Sequence, residues 1–91
     1  MPITIQHVPQ QHRFETRVDG EIGVAEYRID GGVMELTHTE VAPALGGRGI
    51  GAALVQAALD HAQAHGLKVR ALCPYARDYM QRHPATHALQ T

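Results

Sequence analysis

Residues 41–52 read VAPALGGRGIGA and lie between a stretch with strand periodicity and a stretch with helix periodicity. Four glycines leave the backbone here almost free of side chains: Gly46, Gly47, Gly49 and Gly51. The first amide N–H groups of a helix have no partner within the helix, so they can converge on an anion. This segment, the glycine loop, therefore predicts a phosphate-binding site between a strand and a helix.

Two common phosphate-binding motifs do not fit the glycine loop. A P-loop needs Lys and then Ser or Thr after its last glycine, whereas residues 52–53 are both Ala. Residues 47–52 satisfy the dinucleotide pattern G-x-G-x-x-A. The acidic ribose partner expected about 20 residues further on is absent, because residues 71–73 read Ala-Leu-Cys. The antiparallel strands predicted before the loop do not belong to a dinucleotide fold either.

The chain before the loop, residues 3 to 41, is predicted to form four strands joined by tight turns. Ile3 and Ile5 alternate with polar residues, and residues 14–18 do the same, as in half-buried strands. Asp19-Gly20 is a typical hairpin turn. In the following run, residues 21–29, apolar residues occupy both parities, which predicts a bulge or two buried faces.

The turn at residues 30–32 leads to a fourth strand, residues 33–41, which Pro43 ends. After the loop, Ile50 and Leu54 begin an amphipathic helix with period 3.6, and Gly66 is expected to stop it. Residues 67–73 then predict a fifth strand, residues 74–83 a short second helix, and residues 84–91 a tail.

This order predicts one α/β (α+β) domain over residues 1–91, with a mixed five-stranded sheet. The first four strands are antiparallel, and a right-handed crossover helix makes the fourth and fifth parallel. The length of 91 residues suits a single core. With 8 Lys and Arg against 9 Asp and Glu, the net charge is -1, which argues against a general nucleic-acid binder.

Composition also bears on location. The longest uncharged stretch in the patterned region, residues 49–59, has 11 residues, about half the roughly 20 that a membrane helix needs. The N-terminus lacks the pattern of a secretory signal. The single cysteine, Cys73, forms no internal disulfide, which favours a reducing cytoplasm.

Two blocks of sequence carry a family resemblance. Val41-x-Pro43, the run GGRGIG, a helix, a strand and a short helix together resemble the acetyl-CoA signature of the GNAT superfamily of N-acetyltransferases. Residues 38–60 and 73–84 are similar to its small single-domain, GNAT-like subfamily, which lacks the usual N-terminal helices. The resemblance implies a GNAT-like fold and acetyl transfer from acetyl-CoA to an amine.

The resemblance also implies where the cofactor lies. The pantetheine arm pairs with backbone groups near Thr39 to Val41, between the splayed fourth and fifth strands, and the glycine loop holds the pyrophosphate. Arg48 and Arg77 are expected to meet the 3′-phosphate or the pyrophosphate rather than to be catalytic, and the alternative for each is a solvated surface arginine. The implied cofactor residues are Thr39, Val41, Gly46, Gly47, Arg48, Gly49, Ile50, Gly51, Cys73 and Arg77.

Three positions depart from the wider superfamily. Gly46 stands where Gln or Arg is usual, which removes a side chain but keeps the amides. Cys73 replaces the usual Asn at the end of the fifth strand. Met80 takes the place of the usual Tyr in the last helix, one residue after Tyr79.

Acyl transfer to an amine needs a base, because an unperturbed lysine, with a pKa of about 10.4, is protonated at neutral pH. We expect His38 and Glu40 to share one strand face, with Met34 and Leu36 behind them. If this face lines the cleft, His38 or Glu40 is the base, directly or through water. The alternative is a polar strand end that faces water.

Cys73 and two tyrosines are the other catalytic candidates. Cys73 attacks the thioester, lines the cofactor tunnel, or is a buried apolar residue; its place before a helix N-terminus favours the first two. Tyr79 or Tyr75 could protonate the leaving thiolate, since both lie on one helix face. The alternative for both tyrosines is packing against the sheet.

Histidine pairs one helical turn apart, His61 with His65 and His83 with His87, suggest zinc ligands. The H-E-x-x-H pattern is absent and there is one thiol, so no metal site is expected. Two other functions stay open: a non-catalytic acyl-CoA-binding or interaction module, and an unrelated phosphate-binding domain. The acceptor, whether a small metabolite, a polyamine or a protein lysine, and the choice between monomer and homodimer also stay open.

Overall fold

The computed structural model describes residues 3–91, which form a five-stranded sheet, two α-helices and three short 3-10 helices. The strands are β1 (Gln6–Val8), β2 (Arg13–Val18), β3 (Glu21–Asp30), β4 (Val33–Val41) and β5 (Lys68–Ala71). The α-helices are α1 (Ile50–Ala64) and α2 (Pro74–Arg82), and the 3-10 helices are Pro9–Gln11, Pro43–Leu45 and Pro84–Leu89.

The sheet order is β1-β2-β3-β4-β5. Neighbours pair antiparallel from β1 to β4, whereas β4 and β5 are parallel and joined through α1. The predicted fold class is therefore confirmed. Helix α1 also ends just before Gly66, as the sequence predicts.

The hydrophobic core lies between the sheet and the two helices. Leu54 and Ala58 of α1 are fully buried, as are Met34 and Leu36 of β4. Helix α2 adds Met80 to the same core. The two helices therefore cover one face of the sheet, which we call the helix face. Within residues 3–91, no helix is both long and apolar enough to span a membrane.

The predicted irregularity exists, but its extra residue belongs to β4. Glu26 pairs with His38 and the next residue, Tyr27, pairs with Leu36, so Thr37 is left over. Such a bulge shifts the alternation of side chains by one position along the bulged strand. Strand β3 itself alternates regularly, which its apolar composition alone did not reveal.

The first strand begins later than predicted. Ile3 and Ile5 precede β1 and pack, partly buried, against the core. Pairing with β2 starts at Gln6, opposite Glu15. The 3-10 turn Pro9–Gln11 connects the two strands. The alternation of Ile3 and Ile5 with polar residues therefore reflects packing against the core, not backbone hydrogen bonds to a neighbouring strand.

The predicted tail, residues 84–91, is wrong. Pro84–Leu89 is a 3-10 helix in which Thr86 is buried and its hydroxyl donates to the Met80 carbonyl. Gln90 then forms a parallel bridge with Val69 of β5. The segment has few apolar residues, and for this reason its sequence resembles that of a disordered tail although hydrogen bonds hold it in place.

Candidate functional site

The parallel pairing of β4 and β5 stops abruptly at Leu36. Four residue pairs, from Val33 with Lys68 to Leu36 with Ala71, form the ladder. The N–H groups of Leu72 and Cys73 then both donate to the Leu36 carbonyl, at 2.9 and 3.0 Å. The chain turns into α2 at this point, so β5 is shorter than the predicted residues 67–73. Beyond Leu36, β4 pairs with β3 alone.

The second half of β4 directs backbone groups into the resulting gap, which we call the splay. The Ala42 N–H donates to the Ile22 carbonyl of β3 at 3.1 Å. Successive strand residues direct their N–H and C=O groups to alternate sides. Thr39 and Val41 therefore direct theirs away from β3, toward the splay, as an extended ligand would require.

The glycine loop presents free amides at the start of α1. Gly47 and Gly49 have φ of +79° and +72°, a region that favours glycine, and Gly49 caps the helix. Within residues 3–91, the N–H groups of residues 47–52 donate to no backbone or side-chain acceptor. The first helical bond is that of the Ala53 N–H.

A cleft of about 190 Å³ lies beside the glycine loop and reaches Val41, at the outer end of the splay. Its lining residues are Val41, Leu45, Gly46, Gly47, Gly49, Ile50, Gly51 and Tyr75. A Cβ atom at Gly51 would lie 2.7 Å from the Tyr75 hydroxyl oxygen, so only glycine lets the tyrosine ring lie this close to α1. Leu45, which sequence reasoning missed, is an apolar residue buried directly before the glycines.

Cys73 lies at the inner end of the splay, on the helix face. Its sulfur accepts a hydrogen bond from the Ala76 N–H at 3.3 Å and thereby caps α2. The Thr39 hydroxyl lies 3.5 Å from the same sulfur, across the splay. The structure thus brings together Cys73 and Thr39, whose side chain the sequence did not single out.

Because of the bulge at Thr37, His38 and Glu40 lie on the face of the sheet opposite to the one predicted for them. Beyond the bulge, Thr39 occupies the helix face, so His38 and Glu40 lie on the opposite one, which we call the open face. The predicted common face with Met34 and Leu36 is wrong for this reason. His38 Nε2 and Glu40 Oε1 are 3.2 Å apart, and both side chains are exposed.

The two tyrosines of α2 have different surroundings. Tyr75 lines the cleft, whereas the Tyr79 hydroxyl donates to the Gln56 side chain of α1. Burial, followed by the charges of Asp60 and Tyr75, raises the pKa of Tyr79 above its usual value. The role of either as an acid stays a prediction, and Tyr75 is the one beside the loop.

The two arginines predicted at the phosphates are both exposed. Arg48 lies in the glycine loop and is 3.4 Å from an Asp19 carboxylate oxygen. Arg77 lies on α2 and, among residues 3–91, forms no ion pair within 4 Å. An exposed pair such as Arg48–Asp19 contributes little energy, so both guanidinium groups are accessible to an anion.

Of the two predicted histidine pairs, His61 and His65 stack on each other, whereas His83 stacks on Tyr79. His61 stacks on His65 at 4.0 Å between ring centroids, and the His7 ring is 4.5 Å from that of His61. Burial and repulsion from His65 lower the pKa values of His7 and His61. In the part of the chain that the structure describes, no group of three side chains has the arrangement of a metal site.

An ionic cluster near the splay was missed by sequence reasoning. The buried carboxylate of Glu35 accepts from Arg28 at 2.7 Å and from Arg70 at 2.8 Å, which ties β3, β4 and β5 together. The hydrogen bonds from both guanidinium groups hold the pKa of Glu35 below its usual range. A glutamate inside the apolar run VMEL was the available signal.

Comparisons with known proteins agree with this geometry. Residues 13–89 match the family described as "GCN5-related N-acetyl-transferase". Protein NATD1 of Mus musculus is 35% identical over 92 residues, which cover 98% of this chain and 84% of that protein. Protein NATD1 of Homo sapiens is 34% identical, with 98% and 81% covered.

The solution structure of a GCN5-like protein from Staphylococcus aureus superposes with a TM-score of 0.78 at 25% identity, covering 97% of this chain and 87% of that one. This chain and that protein thus share the same overall fold. The chain belongs to the GCN5-related N-acetyltransferase family.

Proposed function

We propose that the protein is an acetyl-CoA-dependent N-acetyltransferase that transfers the acetyl group to an amine. One observation carries the proposal: a single cleft runs from the free amides of the glycine loop to Val41, where the free backbone edge of β4 begins. These two features suit the two ends of one long ligand, a pyrophosphate and an amide-containing arm. Bound acetyl-CoA would supply the acetyl group as a reactive thioester.

The fit of the pyrophosphate rests on the glycine loop. The N–H groups of residues 47–52 would donate to its oxygens, and the dipole of α1 would favour their negative charge. Arg48 and Arg77 would add positive charge at the exposed rim. The absence of a side chain at Gly51 lets the Tyr75 hydroxyl lie directly beside the first turn of α1, at the rim of the cleft.

The fit of the pantetheine arm rests on β4. Its amide groups would pair with the N–H and C=O groups of Thr39 and Val41, as a short strand between β4 and β5 would. The acetyl end would then lie near Thr39 and Cys73, where β5 leaves the sheet. Their hydrogen-bonding groups line one side of the reacting position.

The acceptor amine would arrive from the open face, where His38 and Glu40 lie. One of them takes a proton from the ammonium group, directly or through water. The free nitrogen forms its bond to the acetyl carbon, the carbon–sulfur bond breaks, and the sulfur leaves as a thiolate that takes up a proton. Because the base lies on the open face and the sulfur leaves on the helix face, the arrangement supports direct transfer of the acetyl group from acetyl-CoA to the amine.

The surroundings of Cys73 favour a positioning role over a nucleophilic one. Nucleophilic thiols are usually activated by a neighbouring base. Among residues 3–91, the hydrogen-bond partners of this sulfur are Thr39 and the Ala76 N–H. Cys73→Ser keeps a small hydrogen-bonding group, so we expect transfer to fall by no more than about threefold, which is less than 1 kcal/mol. Abolished transfer would support an acyl-enzyme instead.

The proposal is tested in two steps. Calorimetric titration with CoA, acetyl-CoA, NAD and ATP should give binding of the first two alone, and release of free thiol should then follow addition of amines. Glu40→Gln and His38→Gln should lower the rate of release while CoA affinity stays unchanged. An absence of CoA binding would overturn the proposal.

A second function, a non-catalytic acyl-CoA-binding module, has one observation in its favour. The Tyr79 hydroxyl is engaged by Gln56, and Met80, where the superfamily usually has Tyr, is completely buried. Neither residue is then free to act as an acid. CoA binding without thiol release, over a broad panel of amines and peptides, would support this module.

A further inference from the structure

The open face carries charged side chains in an ordered arrangement. They alternate with the residues of the helix face on four strands: Arg13, Glu15 and Arg17 on β2, Glu26, Arg28 and Asp30 on β3, Glu35, His38 and Glu40 on β4, and Lys68 and Arg70 on β5. Side chains on one face of a strand recur about every 6.6 Å. The face therefore presents charges at a spacing that an extended polypeptide can match.

One end of the open face has an excess of positive charge. The single carboxylate of Glu35 is shared by Arg28 and Arg70, whose side chains are 63% and 46% exposed. With Lys68 and Asp30, the neighbouring charged residues on this face of β5 and β3, three cations stand against two carboxylates, a net charge of +1. Each guanidinium has five N–H donors, so this cluster has donors left for a second carboxylate.

The neighbouring part of the open face is acidic. Glu26 pairs across the sheet with His38, and Glu40 lies two residues further along β4. Arg13, opposite Glu26 on β2, forms an ion pair with Glu15 at 2.8 Å, so Glu26 and Glu40 leave two negative charges beside the splay. Arg28 and Glu26 are two residues apart on one strand face, so the basic cluster and the acidic group are about 7 Å apart.

A small amine would find little enclosure here. Small-molecule sites are concave and bury most of the ligand. The side chains of His38 and Glu40 are instead 52% and 73% exposed. An extended segment, in contrast, would place a cation on the acidic group and an anion on Arg28 and Arg70 at the same time.

We infer that the acceptor is a lysine side chain in an extended protein segment with a carboxylate two residues from the lysine. The segment lies across the open face, with the lysine at Glu26, His38 and Glu40 and the carboxylate at Arg28 and Arg70. The lysine nitrogen gives up its proton and takes the acetyl group as described above. This inference rests on the proposed acetyltransferase function.

The test compares acceptors of equal length with one change. Peptides that contain Lys-Ala-Glu, Lys-Ala-Gln or Lys-Ala-Lys are assayed for thiol release beside spermidine and lysine amide. Charged hydrogen bonds on an exposed face are modest. We therefore expect kcat/KM to be about threefold to tenfold higher for the Glu peptide than for the Gln peptide, and lowest for the Lys peptide.

Variants locate the effect. Arg28→Gln should reduce the Glu-over-Gln preference by raising the KM of the Glu peptide, whereas Arg82→Gln, an exposed arginine on α2, should preserve it. Thermal unfolding of each variant separates a lost contact from a lost fold. If the preference survives Arg28→Gln in a folded protein, the inferred register is wrong.

The outcomes also separate this inference from the proposed function. Free amines used as efficiently as the peptides, or equal rates with Glu and Gln peptides, overturn the inference and leave an acetyltransferase. CoA binding without thiol release from any acceptor overturns the inference and the proposed transfer together. Preference for the Glu peptide that disappears with Arg28→Gln supports both.

Discussion

The two halves of β4 are parts of one strand with opposite tasks. From Val33 to Leu36 it is paired on both sides, by β3 and β5, and the Glu35 carboxylate ties the three strands together. From Thr37 to Val41 it is paired on one side alone, with β3. The closed half holds the fold, and the open half holds the candidate site.

Two local features cause the difference. The N–H groups of Leu72 and Cys73 share the Leu36 carbonyl, and Pro74, which has no N–H, starts α2, so the chain leaves the sheet. The extra residue Thr37 then shifts the alternation of β4 side chains between the two faces of the sheet by one position. A stable sheet can thus open at one position without losing core packing, and the opening supplies both a free edge and two accessible faces.

The largest effect is expected from truncating the closed half. Leu36 is 1% exposed and packs in the core, so Leu36→Ala should lower the free energy of unfolding by about 2–5 kcal/mol. Val41→Ala, in the open half and partly buried, should lower it by less than about 1 kcal/mol. Urea denaturation of both variants measures the contrast. Equal losses would show that the two halves do not differ in this way.

Filling the cleft should affect binding rather than folding. In Gly51→Val the new side chain meets Tyr75, whose exposed ring can turn away, so the fold tolerates the change while the valine crowds the amides of the glycine loop. Loss of one or two hydrogen bonds from these amides to a charged phosphate, about 1–3 kcal/mol, should lower CoA affinity about fivefold to 150-fold in a calorimetric titration.

Ala64→Val, in the exposed last turn of α1, is the matched control and should keep full affinity. Unchanged affinity in a folded Gly51→Val variant would move the cofactor away from this cleft. That result would remove the functional contrast between the halves of β4 while leaving the structural one.

Much of this contrast was readable in the sequence. The glycine loop between strand and helix patterns gave the site, and the strand and helix periods gave the sheet order. Cofactor residues could be proposed from the sequence because amides at a helix N-terminus need no particular side chain to bind an anion. All of these predictions depend on short-range features of the sequence, namely turn residues, helix-capping residues and the period of the apolar residues.

The failures have a common physical origin. No periodicity marks Thr37 as an extra residue, since the bulge arises from pairing with β3, and without it His38 and Glu40 are placed on the wrong face. Glu35 is buried because arginines 7 and 35 residues away reach it, and residues 84–91 are ordered by contacts with α2 and β5. Tertiary contacts decide such positions.

The corrected C-terminal segment offers a test of the closed half. Deleting residues 84–91 removes the buried Thr86 hydroxyl, the packing of Leu89 and the bridge from Gln90 to Val69. We expect unfolding to become easier by about 1–3 kcal/mol, since roughly one apolar side chain and a few hydrogen bonds are lost.

CoA affinity should stay within about twofold, because this segment covers β5 on the side away from the splay. Thermal unfolding and calorimetry of the truncated chain measure the two quantities. Full stability after the deletion would restore the original prediction of a tail.

The smallest effect concerns the charge that joins the strands of the closed half. Hydrogen bonds from Arg28 and Arg70 hold the pKa of Glu35 in the folded protein below its value in the unfolded chain. The folded state therefore binds fewer protons between these two values, and the stabilisation is present above the unfolded pKa. It is lost as the pH falls through the folded pKa.

Glu35→Gln should thus be less stable than the unmodified protein at pH 7, and the difference should shrink as the pH falls below about 4.5, the ordinary pKa of a glutamate. Glu21→Gln, on an exposed strand end, should show no such change. Denaturant midpoints measured from pH 7 to pH 3 give the comparison. A difference that stays constant over this range would mean that the carboxylate charge does not hold the closed half together, and that packing around Leu36 alone keeps the splay from extending further into the sheet.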